Sequence, residues 1–162
     1  MEKKYFPIFI DISESNIVII GGGTIATRRV KTLLEFCKFI TVVAPEITPS
    51  LQELVRKEKI SWRKEVYHKE VIWDADMVFA ATNQTGVNRQ IKQDCLRIKL
   101  ETGKRILFNA IDSKEMCDFY FPAIACTKEV VVGVNSSGQN PKATKHVREQ
   151  IEKLLECDSI YE

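Results

Sequence analysis

The chain has 162 residues, 44% of them hydrophobic and 28% charged, with a formal net charge of +2. That length gives one domain, or one domain with a small appendage, and enough apolar residues for a packed core. A net charge this small argues against a nucleic-acid protein or a polybasic membrane binder, and no apolar run reaches the roughly 18 residues that span a bilayer.

The N-terminal stretch "MEKKYFPIFIDISES" lacks the long apolar core and small-residue cleavage site of a signal peptide. Ile17 to Ile20 is a short apolar run entering three glycines, which fits a buried strand. Ala26, Val30, Leu33, Leu34 and Cys37 then recur at helical spacing, with Arg28, Arg29 and Lys31 expected on the opposite side. "FITVVA", Phe39 to Ala44, predicts a second strand. Thr48 before Pro49 is a capping hydroxyl ahead of proline at the first helical position, with Leu51, Leu54 and Val55 following. "ISWRKEV" reads as a third, more polar strand, and "DMVFAAT" as a fourth that ends abruptly in "NQTGVN". A helix from about Val87 to Glu101 and a fifth strand, Arg105 to Phe108, complete the alternation. Such repetition predicts an α/β domain, a Rossmann-like parallel sheet with right-handed crossovers, over residues 1–113.

Past residue 112 the rhythm changes. "FYFPAIACTKEVVVGVN" holds two apolar runs separated by Thr127, Lys128 and Glu129, the pattern of an antiparallel hairpin. A turn-rich "NSSGQNPK" precedes an amphipathic helix with Ala143, Val147, Ile151, Leu154 and Leu155 on one face. This second region, 114–162, is short and strongly apolar, so it is expected to bury itself against another subunit. The five cysteines, Cys37, Cys95, Cys117, Cys126 and Cys157, are odd in number and contain no CxxC pair. They predict reduced thiols in a cytoplasmic protein rather than a disulfide frame or zinc site.

Gly21-Gly22-Gly23-Thr24-Ile25-Ala26 fits G-x-G-x-x-A. Gly21 permits the tight turn out of the strand, Gly23 leaves room for a pyrophosphate, and Ala26 lets the helix pack closely on the sheet. The helix N-terminus supplies N–H groups and a positive dipole end. A plain strand-to-helix turn is the competing account, but the second strand ending at "VVAPE" favours a dinucleotide. Glu46, a little beyond the usual spacing, is the nearest acid for the adenine ribose. No arginine stands beside it to greet a 2′-phosphate, which leans toward NAD over NADP.

The ends of the fourth and fifth strands carry Ala81-Thr82-Asn83 and Asn109-Ala110-Ile111-Asp112, and should share the cofactor's crevice. Asp112 is the sharper candidate, a carboxylate that could act as a base; an Asx turn or helix cap is the structural alternative. Lys142, Lys145 and Arg148 open the last helix, where cations oppose the macrodipole. They face either an anionic ligand or solvent. His68 and His146 are isolated, so no metal site is expected, and Trp62 and Trp73 read as packing residues.

Taken together, "YFPIFIDI", "VIIGGGTIATRRV", "ITVVAPE", "FAATN", "NAID", "CDFYFPAI" and "VGVNSSGQNPK" resemble the precorrin-2 dehydrogenase or siroheme synthase N-terminal family, in the family's order over about residues 5 to 155. The resemblance implies a homodimer that oxidises precorrin-2 to sirohydrochlorin with NAD, on the path to siroheme and, in some organisms, cobalamin. Some members also insert ferrous iron. It implies a cofactor site at Gly21, Gly23, Thr24, Ile25, Pro45, Glu46 and Thr82, and Asp112 as the essential aspartate. Asn109, Ser136, Ser137, Gly138 and Lys142 are implied on the substrate side, where eight carboxylates would meet the basic residues. Two departures stand out: serine at 137 where a glycine is common, and an end at Glu162 where members often continue into a helical segment. They motivate the alternative of a non-catalytic dinucleotide- or tetrapyrrole-binding module.

Overall fold

In a computed structural model, which describes residues 6–137 and 139–158, the chain forms two compact units. One is Ile8–Phe119; the other holds the residues from Tyr120 onward together with Phe6 and Pro7. The first unit is built on five parallel strands: β1 (Asn16–Ile20), β2 (Phe39–Val43), β3 (Ser61–Arg63), β4 (Met77–Ala80) and β5 (Leu107–Ala110), in the order β3-β2-β1-β4-β5. Helices α1 (Thr24–Leu33), α2 (Pro49–Arg56) and α3 (Thr85–Thr102) make the crossovers. The expected α/β parallel sheet is therefore present. Strand order reverses between β1 and β4, so a crevice opens beyond their carboxyl ends.

The central strands are apolar on both faces because helices cover both. Ile19, Val42, Val78, Phe79 and Phe108 are fully buried, as a parallel sheet requires. Truncating either phenylalanine to alanine would cost about 3–5 kcal/mol in lost transfer and cavity energy. Ala26 is fully buried too, so α1 lies close on the sheet as its small side chain predicts. The Thr48 hydroxyl accepts from Leu51 N–H at 3.3 Å with Pro49 following, the expected start of α2.

Boundaries differ where pairing, rather than composition, sets the limit. β3 has only three residues because Glu65 N–H turns back to the Arg63 carbonyl at 2.9 Å. β5 starts at Leu107, not Arg105, since its register follows the four residues of β4 from Met77 to Ala80. Helix α3 begins two residues before Val87, at Thr85, and closes at Gly103, whose φ of 78° is a left-handed cap.

Arg29 corrects the expectation of a solvent-facing basic row on α1. It turns inward, Nη1 donating to Asn109 Oδ1 at 2.6 Å, with its guanidinium 5.1 Å from the Phe79 ring centroid. Burial pushes this guanidinium down to about 10, still charged at neutral pH.

The compact unit also runs past the expected limit of 113. Asp118 accepts from Phe108 N–H at 2.9 Å and pairs with Lys92 at 2.9 Å. Phe119 meets Phe79 edge-on at 5.7 Å. These contacts fasten 114–119 to the sheet.

In the second unit, β6 (Ala123–Cys126) and β7 (Val131–Val134) form the antiparallel hairpin, with Ala123 opposite Val134. Its turn is held by the Thr127 hydroxyl, which accepts from Glu129 and Val130 N–H at 3.3 and 3.1 Å. Helix α4 (Pro141–Asp158) starts from Asn140, whose side-chain carbonyl accepts from Ala143 N–H at 2.9 Å. Among the described residues only Ala125 of this unit is fully buried; Val147 and Leu154 are 45% and 66% exposed.

Candidate functional site

A cleft of about 890 Å³ opens at the carboxyl ends of β1, β2 and β4. Gly21, Gly23, Thr24, Ile25, Pro45, Glu46 and Thr82 all line it. Its size falls in the range of about 300–1,000 Å³ usual for ligand pockets.

The three glycines do different things. Gly21 has φ of 119°, and a Cβ there would lie 2.4 Å from the Ala81 carbonyl oxygen. Backbone blocks any side chain. Gly22, the position the motif leaves free, is just as constrained: a Cβ would lie 2.0 Å from the Glu46 carbonyl oxygen, because the 46–48 loop crosses it and Thr48 N–H bonds to Gly22 O at 3.0 Å. Gly23 is the contrast, since a Cβ there would meet nothing within 4 Å. It is also the N-cap of α1, and no side chain caps that helix end. The first turn of α1 thus presents unbonded N–H groups and a positive dipole end to open space. That geometry fits a dinucleotide pyrophosphate, with the backbone from Gly21 to Ile25 as its cradle.

Glu46 and Glu65 are the charged residues of the cleft wall; no lysine or arginine lines it among the described residues. Glu65 is held by Arg63 at 2.5 Å and by His68 at 3.2 Å. The His68 hydrogen bond, followed by that of Arg63, keeps its carboxyl below the ordinary carboxylate range. The Thr82 hydroxyl is engaged internally, donating to Asn88 Oδ1 at 2.7 Å and accepting from Gln84 N–H at 3.2 Å. Thr82 therefore shapes the β4–α3 loop from within. Sequence reasoning missed Val66, Tyr67, Val87 and Gln90, which complete the wall. Their one signal was position, immediately after the third strand and in the first turns of a helix.

Asp112 is exposed, next to the cleft-lining Ile111, and no described residue bonds its carboxylate. The turn from Lys114 to Met116 has Ser113 as its N-cap, so Asp112 is not the cap. Asn109, expected on the substrate side, is 3% exposed, its amide accepting from Arg29 and donating to the Phe119 carbonyl at 2.8 Å. Cys117 lies beneath this segment, its sulfur accepting from Ala110 N–H at 3.2 Å; burial pushes the thiol up.

Ser136, Ser137 and Lys142 belong to the second unit, and Gly138 lies outside the described residues. Ser136 Oγ accepts from Asn140 N–H at 3.1 Å. Ser137 has φ of 51°, a left-handed conformation that glycine adopts more readily than serine. Lys145 pairs with Glu149 at 3.6 Å, and Arg148 with Glu149 and Glu152. Among the described residues no ion pair engages Lys142.

A family model described as NAD(P)-binding matches residues 8–123. Bacillus subtilis precorrin-2 dehydrogenase is 33% identical over 156 residues, covering 96% of this chain and 92% of that protein. The chain belongs to the precorrin-2 dehydrogenase family. A Ruminiclostridium josui protein, named as a probable multifunctional siroheme biosynthesis protein, is 41% identical over 150 residues, covering 92% of this chain. The chain spans only 28% of the length of that relative. Among solved structures, the precorrin-2 dehydrogenase SirC superposes with a TM-score of 0.78 at 25% identity, covering 92% of this chain and 70% of that one. No helix among the described residues is long and apolar enough to cross a membrane.

Proposed function

We propose that this protein is an NAD-dependent precorrin-2 dehydrogenase, oxidising precorrin-2 to sirohydrochlorin in siroheme biosynthesis. The observation that carries the reading is the glycine loop: two glycines closed by backbone, and a third left open at an uncapped helix end, in a chain that matches a precorrin-2 dehydrogenase along nearly its whole length. Bound in this cradle, NAD supplies the two-electron acceptor that the oxidation needs. The chain's own residues bind and orient. The Gly21–Ile25 backbone holds the pyrophosphate, and Glu46 receives a ribose hydroxyl. With Glu46 and Glu65 on the wall, a 2′-phosphate would meet negative charge, which favours NAD over NADP.

Asp112 is assigned the second task. Its free, exposed carboxylate accepts the proton that a substrate carbon gives up as its hydride leaves, or fixes the macrocycle by hydrogen bonding. Ser136 and Ser137, and Lys142, whose ammonium has no ion pair among the described residues, are assigned to the substrate's carboxylates. The proposal extends to a cytoplasmic homodimer. Its support is the second unit, where exposed Val147 and Leu154 leave an apolar helix face open, and the free cysteines Cys37, Cys95 and Cys117.

The test is an anaerobic assay with enzymatically made precorrin-2 and NAD⁺, following NADH absorbance and the sirohydrochlorin spectrum together. One NADH per sirohydrochlorin is expected. Tight NAD⁺ binding with no NADH formed would overturn the enzymatic reading and leave a binding module.

A further inference from the structure

The wall of the cleft formed by the 65–67 segment and α3 carries a side-chain network that the dinucleotide loop does not use. Asp94 is 3% exposed, and its two oxygens are both engaged. Tyr67 donates its hydroxyl to Oδ2 at 2.9 Å, and Gln90 donates Nε2 to Oδ1 at 3.0 Å. Arg97 approaches Oδ1 at 3.5 Å. Burial, and then the bond to Asp94, raise the Tyr67 phenol far above its ordinary value, so it remains a donor.

This arrangement fixes an orientation. A carboxylate can only accept, so the amino end of Gln90 must turn toward Asp94. Rotating the amide by half a turn would set its carbonyl against a buried anion. Gln90 Oε1 is left as an acceptor with no partner among the described residues, on an exposed side chain that lines the cleft. Val66, Val87 and the ring of Tyr67 line the same wall, with the Glu65 carboxylate beside them held by Arg63 and His68. Val87 and Gln90 lie three apart on α3 and so share a face. A largely apolar wall on which Gln90 presents an oriented acceptor suits a flat heterocycle that bears an amino group.

We infer that Gln90, oriented by Asp94 and Tyr67, reads the purine of the bound dinucleotide as adenine. The inference rests on the dinucleotide reading of the cleft. Adenine offers an exocyclic amino group to Oε1, whereas hypoxanthine offers a carbonyl oxygen, and two acceptors facing each other repel. Asp94 contributes by denying Gln90 the rotation that would accommodate a 6-oxo purine. It is a positioning residue, and Gln90 is the specificity determinant.

The test is calorimetric titration of the full chain with NAD⁺ and with nicotinamide hypoxanthine dinucleotide. The parent should prefer NAD⁺ by roughly three- to tenfold, the worth of one net hydrogen bond. Gln90→Leu should bring the two affinities to parity by weakening NAD⁺ alone. Asp94→Asn should narrow the preference with Gln90 still present, since an amide partner accepts either orientation of Gln90; its melting temperature reports whether it folds. A parent that binds both dinucleotides equally, or a preference that survives Gln90→Leu, would overturn the inference and leave the cofactor reading intact. A parent that binds neither would overturn the cofactor reading, and this inference with it.

Discussion

The two units of this chain hold their shape by different means. In Ile8–Phe119 the sheet is sealed on both faces, and residues as large as Phe79 and Phe108 are fully buried. From Tyr120 onward a hairpin and one long helix leave a single fully buried residue, Ala125, among those described. The first unit has a core of its own and can hold atoms to the tolerances of a binding site. The second is patterned like half of something, with helix-period apolar residues still open to solvent. The demanding chemistry should therefore be read from the first unit, and association from the second.

The contrast can be broken at a single loop. Gly21→Ala puts a Cβ against the Ala81 carbonyl at a φ of 119°, and should cost on the order of 3 kcal/mol by denaturant unfolding. Gly23→Ala, in open space, should change stability by less than about 1 kcal/mol while weakening NAD⁺ binding. Equal losses of stability in both would mean that the loop serves folding alone. Arg29→Met comes next. It leaves the Asn109 carbonyl buried without its donor, at a cost of about 1–3 kcal/mol, and should loosen the segment leading to Asp112 in hydrogen exchange.

In the second unit the prediction reverses. Leu154→Ser, at a site 66% exposed, should change unfolding by less than about 0.5 kcal/mol yet weaken self-association in sedimentation. A parent that sediments as a monomer would remove the homodimer from the account. The smallest effect is expected at His68, held between Glu70 and Glu65. Hydrogen bonds from its ring, first to Glu70 and then to Glu65, raise its pKa above the ordinary histidine value. Its stabilisation is thus complete below the unfolded value and is lost as pH rises through the raised folded value. His68→Gln should flatten that decline in a melting series across neutral pH.

Much of this was legible in the chain because it follows from local pattern. The apolar runs at Ile17–Ile20 and Met77–Ala80, the Thr48-Pro49 helix start and the glycine motif each declare themselves within a few residues. The hairpin was readable for the same reason. What escaped depends on tertiary neighbours. Nothing within α1 distinguishes Arg29 from Arg28; only the distant Asn109 and Phe79 do. Gly22 looked like a free position until the 46–48 loop was seen to cross it. Nothing at the end of the fifth strand announces that Asn109 ties α1 to Phe119. Gln90 and Asp94 carry no signal of their own in the sequence, because the i, i+4 bond between them gains meaning only from Tyr67 arriving beyond a short edge strand.

The central claim is that the first unit supplies both the dinucleotide cradle and, separately from it, the carboxylate that serves the oxidation. Asp112→Asn tests it most directly, because the parent side chain has no partner among the described residues whose loss would disturb the fold. The measurement is a single anaerobic turnover with precorrin-2, paired with NAD⁺ titration of the same preparation. Unchanged NAD⁺ affinity with NADH formation slowed at least a hundredfold is the expected result. NADH formed at the parental rate would contradict the role given to Asp112, and with it the account of how this chain performs its reaction.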